Sequence, residues 1–160
     1  MINPTQFREL IVRPTLQSMD SPMQTVWSES AEALLMGTAM QESGLTYIEQ
    51  IGGGGALGFF QMEPATHDDI WTNYLERGRD DLARKVDTWA SVRVSAGLVF
   101  NLAYATAMCR VHYLRVKDPL PHDKDIIGLA TYWKQFYNTE AGKGTINQFV
   151  ANYERMLQAA

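Results

Sequence analysis

From Trp89 to about Lys117 the chain is largely apolar and free of proline, with Val92, Ala96, Val99, Phe100, Ala103, Ala107, Val111 and Leu114 recurring close to helical spacing. A helix that is apolar on so many sides belongs in an interior, because a surface helix keeps one polar face for water. The spacing therefore predicts one long helix at the buried centre of an all-α domain. Size agrees: 160 residues, 46% hydrophobic and 20% charged, build one real core and not two ordinary domains, so residues 1–160 read as a single domain. Strand signals are weak throughout, and no internal repeat or heptad run is present.

Shorter helices should surround that centre. Asn3 can cap and Pro4 can open a helix that Pro14 should end near Arg13, which makes residues 1–20 a small N-terminal helical appendage. Asp20-Ser21-Pro22 signals a second start, after which Val26, Trp27, Ala31, Leu34, Leu35, Thr38, Ala39 and Met40 keep helical spacing to about Ser43. Gly44 can stop this helix, leaving Glu42 in its last turn. Residues 52–55 are four consecutive glycines, a loop composition, with a short extended piece expected on either side. Pro64 restarts a helix whose stripe is Ile70, Trp71, Tyr74 and Leu75, and Gly78 ends it. Residues 80–87 read as a short helix or connector. Asp118-Pro119-Leu120-Pro121 closes the central helix, another spans roughly 125–138, and Ala141-Gly142-Lys143-Gly144 leads into a capped C-terminal one.

Composition removes several functions. A net charge of −4, from 14 Lys+Arg against 18 Asp+Glu, gives no overall basic face for phosphates, so nucleic acid is not expected as a partner. The single cysteine, Cys109, sits in an apolar run and reads as a small buried side chain. His67, His112 and His122 are scattered without ligand spacing, so no metal is expected, and the four glycines lack the Lys-Ser/Thr of a phosphate loop, so no cofactor is expected either. The first residues carry neither a basic nor an apolar segment of an export signal, and no apolar run approaches the length of a membrane span. The expectation is a protein made in a cytoplasm without its own export signal and without membrane insertion.

Glu42 is the position with chemical promise. Near a helix C-terminus it meets the negative end of the peptide dipoles, and apolar neighbours add a desolvation cost, both of which favour the protonated carboxyl that a general acid needs. Ser43 can orient that acid or a substrate through its hydroxyl. Downstream, Gly55-Ala56-Leu57-Gly58 would let backbone come close to a bulky glycan, and Gln61 could bond an acetamido group or a ring hydroxyl. Phe59 and Phe60 suit core packing or stacking on sugar faces.

Together, Glu42-Ser43 and Gly55-Ala56-Leu57-Gly58-Phe59-Phe60-Gln61-Met62-Glu63-Pro64-Ala65-Thr66 resemble soluble lytic transglycosylases and goose-type lysozymes, which carry Glu-Ser and then Gly-Ala-x-Gly-Leu-Met-Gln-x-x-Pro-Ala-Thr. The match is specific over residues 38–66 and loose elsewhere, with Phe59-Phe60 where Leu-Met is usual. It implies a lysozyme-like fold, Glu42 as catalytic acid, Ser43, Gly58, Phe60 and Gln61 at the substrate, and peptidoglycan glycan strands as partner, cut between N-acetylmuramic acid and N-acetylglucosamine. The family's later Ala-Tyr-Asn-Ala-Gly segment is altered. Tyr132, in Ala130-Thr131-Tyr132-Trp133, fits the helix register, whereas Tyr137-Asn138 keeps the Tyr-Asn pair one turn later; register favours Tyr132. Inverting hydrolysis needs a second carboxylate, for which Glu49, Glu63, Asp68 and Asp69 are candidates, whereas a lytic transglycosylase needs one. The resemblance leans to the transglycosylase, with goose-type hydrolysis second. With no export signal, the expected setting is a bacteriophage murein-degrading protein, either a lysis enzyme acting on the periplasmic cell wall or a virion component. The rival is a catalytically silent virion or tail protein that uses the same fold to hold partner virion proteins.

Overall fold

A computed structural model describes residues 1–90, 92–138 and 142–159. The described residues are mainly helical, and extended pairing among them is limited to isolated bridges, so the all-α expectation holds. No helix among them is long and apolar enough to cross a membrane.

Helix α1 (Pro4–Phe7) opens as its sequence dictates, with the Asn3 side chain accepting the Gln6 amide at 3.0 Å. The chain does not stop at Pro14. A π-helical turn, Arg8–Val12, leads directly into α2 (Arg13–Met19). Proline inside an α-helix removes an amide and crowds the carbonyl one turn back; the wider turn, in which the Arg13 amide reaches Arg8, absorbs both effects. The expectation of an appendage is also corrected. Phe7, Val12, Leu16 and Met19 are buried in the common core, so this segment is one of its walls.

Helix α3 (Glu29–Glu42) begins later than the Asp20 signal suggests, because Ser28 is its cap and accepts the Ala31 amide at 3.0 Å. Asp20 instead accepts the Val26 and Trp27 amides and shapes the approach. Every residue from Ala31 to Met40 is buried, which makes α3 the central helix. Its one acidic group in that span, Glu32, is paired with Arg13 at 2.7 Å and accepts the Trp27 indole N–H at 3.1 Å, as a buried carboxylate requires.

The apolar run at 89–117 does not form the single helix expected. After α4 (Pro64–Ile70), its π-helical extension Trp71–Leu75 and α5 (Asp80–Asp87), the chain turns irregularly to α6 (Gly97–Phe100), breaks at Asn101, and resumes as α7 (Leu102–Leu114). Asn101 causes the break: its side chain accepts the Tyr104 amide and donates to the Trp89 carbonyl, an arrangement that competes with continuing the helix. Val92 and Phe100, assigned by spacing to the interior, stand in solvent as a result. Helix α8 (Ile126–Trp133) continues into a π-helical turn, Lys134–Asn138, and α9 (Ile146–Gln158) starts with a capping box between Thr145 and Gln148. Helix α3 packs against α7, α8 and α9, so its C-terminal end emerges among the other elements and not at a free tip.

Candidate active site

Where α3 ends, an open cleft of about 1230 Å³ lies between the 44–63 segment, the π-helical turn after α8, residues 142–144 and the face of α9 that carries Asn152 and Arg155. Glu42, the last residue of α3, lines it. Burial of its carboxyl pushes the pKa up from 4.5 to about 7, against the opposing pull of a hydrogen bond that the Trp133 indole donates to Oε1 at 2.8 Å. The group therefore holds its proton near neutrality and can release it, which is the property of an acid that later acts as base.

The residues expected beside it divide in two. Gln61, Tyr137 and Asn138 line the same cleft. Gln61 adopts a left-handed backbone (φ 46°) and donates its side-chain amide to the Gly58 carbonyl at 2.9 Å, which leaves its amide oxygen unbonded among the described residues. Tyr137 donates its hydroxyl to the Phe60 carbonyl at 2.7 Å and stacks on Tyr113, with His112 edge-on to its ring. Asn138 accepts a hydrogen bond from Lys134 at 2.8 Å.

Ser43, Gly58, Phe60 and Tyr132 are corrections. Ser43 borders the cleft, but its hydroxyl points into the protein, donating towards the carbonyls of Phe59 (2.8 Å) and Ala39 (3.1 Å). It ties the glycine-rich segment to α3 and makes no hydrogen bond to the Glu42 carboxyl. Gly58 (φ 71°) is required by packing: a Cβ there would lie 2.3 Å from the Leu98 carbonyl oxygen. Phe60 is 1% exposed and packs with Phe59 around Phe7, so neither phenyl is available to a sugar. Tyr132 is buried and donates its hydroxyl to the Asp118 carbonyl, away from the cleft. Helix register favoured Tyr132, but it is Tyr137 that lines the cleft.

Trp133 is the site residue that the sequence reading missed. A signal existed: Trp133 and Tyr137 are four apart on one helical segment, which puts them on one face, whereas Tyr132 falls off that face. His112 also borders the cleft. Its Nε2–H donates to the Phe136 carbonyl at 3.0 Å, its Nδ1 accepts from Arg115, and burial lowers its pKa to about 4, so it stays neutral and serves as a fixed wall behind Tyr137.

Of the four candidate second carboxylates, only Glu63 lines the cleft. Asp68 pairs with buried His67, and Asp69 accepts hydrogen bonds from Asn73 and Arg115, which hold its carboxyl below its usual range. Among the described residues no three His, Cys, Asp or Glu side chains gather as a metal site would require. In comparison with known proteins, no family model matches the chain, and neither a curated protein nor a solved structure does.

Proposed function

We propose that the protein is a peptidoglycan lytic transglycosylase in which Glu42 is the single acid and base. The observation that carries this reading is a carboxyl with a pKa of about 7 on the wall of an open cleft. Neutral Glu42 gives its proton to the oxygen linking muramic acid C1 to the glucosamine, and the C1–O bond breaks with the electron pair leaving on that oxygen. The resulting carboxylate then takes the proton of the muramoyl C6 hydroxyl as O6 bonds to C1, which closes a 1,6-anhydro ring and restores the acid. No water enters the products. The motif resemblance of residues 38–66 supplies the substrate class.

Glu63 supports a second reading. An exposed carboxylate on the same wall can activate water, which would give hydrolysis and reducing ends. Mass spectrometry of muropeptides released from purified sacculi separates the two. The transglycosylase reading expects anhydro ends from the wild type and from Glu63→Gln, and none from Glu42→Gln. Reducing ends that vanish in Glu63→Gln favour the hydrolase; no release by the wild type overturns both and favours the partner-holding role.

A further inference from the structure

We infer that Trp133 is a positioning residue that decides which oxygen of the Glu42 carboxyl carries the proton: its indole N–H engages Oε1 as the carbonyl oxygen, so the transferable proton sits on Oε2. An indole N–H can only donate, and in a neutral carboxyl the carbonyl oxygen accepts better than the hydroxyl oxygen. The contact is 2.8 Å and is the one hydrogen bond to the Glu42 side chain among the described residues.

The donor is itself immobilised. The Trp133 side chain is fully buried, Phe149 packs against it with ring centroids 5.4 Å apart, and Gly144 passes so close that a Cβ there would lie 2.5 Å from the indole Cη2. A ring held on two sides cannot swing to follow the carboxyl, so the carboxyl must take its orientation from the ring. The same N–H stabilises the carboxylate once the proton has left, so one geometry serves both charge states. Trp133 thus keeps Glu42 from rotating between donating and accepting a proton. The catalytic consequence rests on the transglycosylase reading; the location of the proton does not.

The test replaces Trp133 with β-(3-benzothienyl)alanine, which keeps the bicyclic shape and puts sulfur where the N–H was, alongside Trp133→Phe. With carbon-13 in the glutamate side chains and Glu42→Gln as the subtraction control, isotope-edited infrared spectroscopy reads the Glu42 carbonyl stretch. Loss of the donor should move that band to higher wavenumber and raise the pH at which Glu42 titrates, with kcat down roughly tenfold or more and KM little changed. Packing loss alone would lower thermal stability and move neither signal. An unmoved band or an unchanged titration in the benzothienyl variant overturns the inference, whatever Trp133→Phe does to folding. Because both spectroscopic readings need no substrate, they remain decisive even if the wild type releases no muropeptide, an outcome that would count against the enzyme and not against the pairing.

Discussion

Glu42 has a raised pKa because α3 ends inside the cleft wall, where its carboxylate loses water and gains only one donor in return. The cost shows in stability. A carboxyl whose pKa rises from 4.5 to about 7 on folding binds its proton more tightly in the folded chain, so stability is full below 4.5 and is lost as pH climbs through 7. The difference is worth about 3 kcal/mol. Glu42→Gln, whose amide oxygen can still accept from Trp133, should match the wild type near pH 4 and exceed it near pH 8 by about that amount in urea denaturation. On the proposed transglycosylase reading, wall cleavage should decline above about pH 7 as the acid ionises, a profile that turnover measured across pH will read directly. The two tyrosines differ in the same local way. Tyr137→Phe strips the Phe60 carbonyl of its donor beside the cleft and should cost about 1 to 2 kcal/mol in stability and about tenfold or more in turnover, whereas Tyr132→Phe affects only the Asp118 loop and should leave turnover within about twofold.

At the scale of elements, the glycine-rich segment works by two different physical means. At Gly53 (φ 82°) nothing approaches within 4 Å of where a Cβ would stand, so Gly53→Ala meets only the backbone penalty, about 1 kcal/mol. At Gly58 the same penalty adds to a collision with a backbone oxygen that cannot move aside without shifting α6. Gly58→Ala should therefore lower Tm several-fold more than Gly53→Ala, and it should also reduce activity because Gln61 is anchored to the Gly58 carbonyl. The break at Asn101 belongs to this scale too. Spacing of apolar residues reads a helix across it, since periodicity sees Val92 through Leu114 and not one amide side chain that satisfies Tyr104 and Trp89 at once. Cap signals fared unevenly: Asn3 holds the backbone it was expected to hold, because a cap is decided within one turn, whereas Asp20 does not start α3.

For the whole molecule, the cleft sets the pH response through two buried groups of opposite sense. His112, with a pKa of about 4 against 6.5 unfolded, contributes stability that is present above 6.5 and lost as pH falls through 4. Glu42 loses stability in the other direction, from 4.5 upward. Each is worth roughly 3 kcal/mol, so across about pH 4.5 to 6.5 they nearly cancel and wild-type stability should be flat. Glu42→Gln removes one side of the balance. Its stability should climb by about 3 kcal/mol over the same window, and a variant that instead tracks the wild type at every pH would show that burial of Glu42 is weaker than its surroundings indicate.

What the amino-acid sequence determined by itself was whatever a single turn or loop decides: the all-α class, the glycine loop at 52–55, the helix restart at Pro64, and Glu42 in the last turn of a buried helix. Each follows from side-chain period, caps and backbone freedom, which act over a few residues. Tertiary structure alone decided which apolar helix is central, since hydrophobicity says that a helix is buried and not what surrounds it; α3 took the place expected of the 89–117 run. It also turned Ser43, Gly58 and Phe60 inward, because their neighbours come from Phe59, Leu98 and Phe7. The pKa of Glu42 is raised by burial under elements that come together only on folding, and the hydrogen bond that opposes the shift comes from Trp133, 91 positions away, so no local rule can express either.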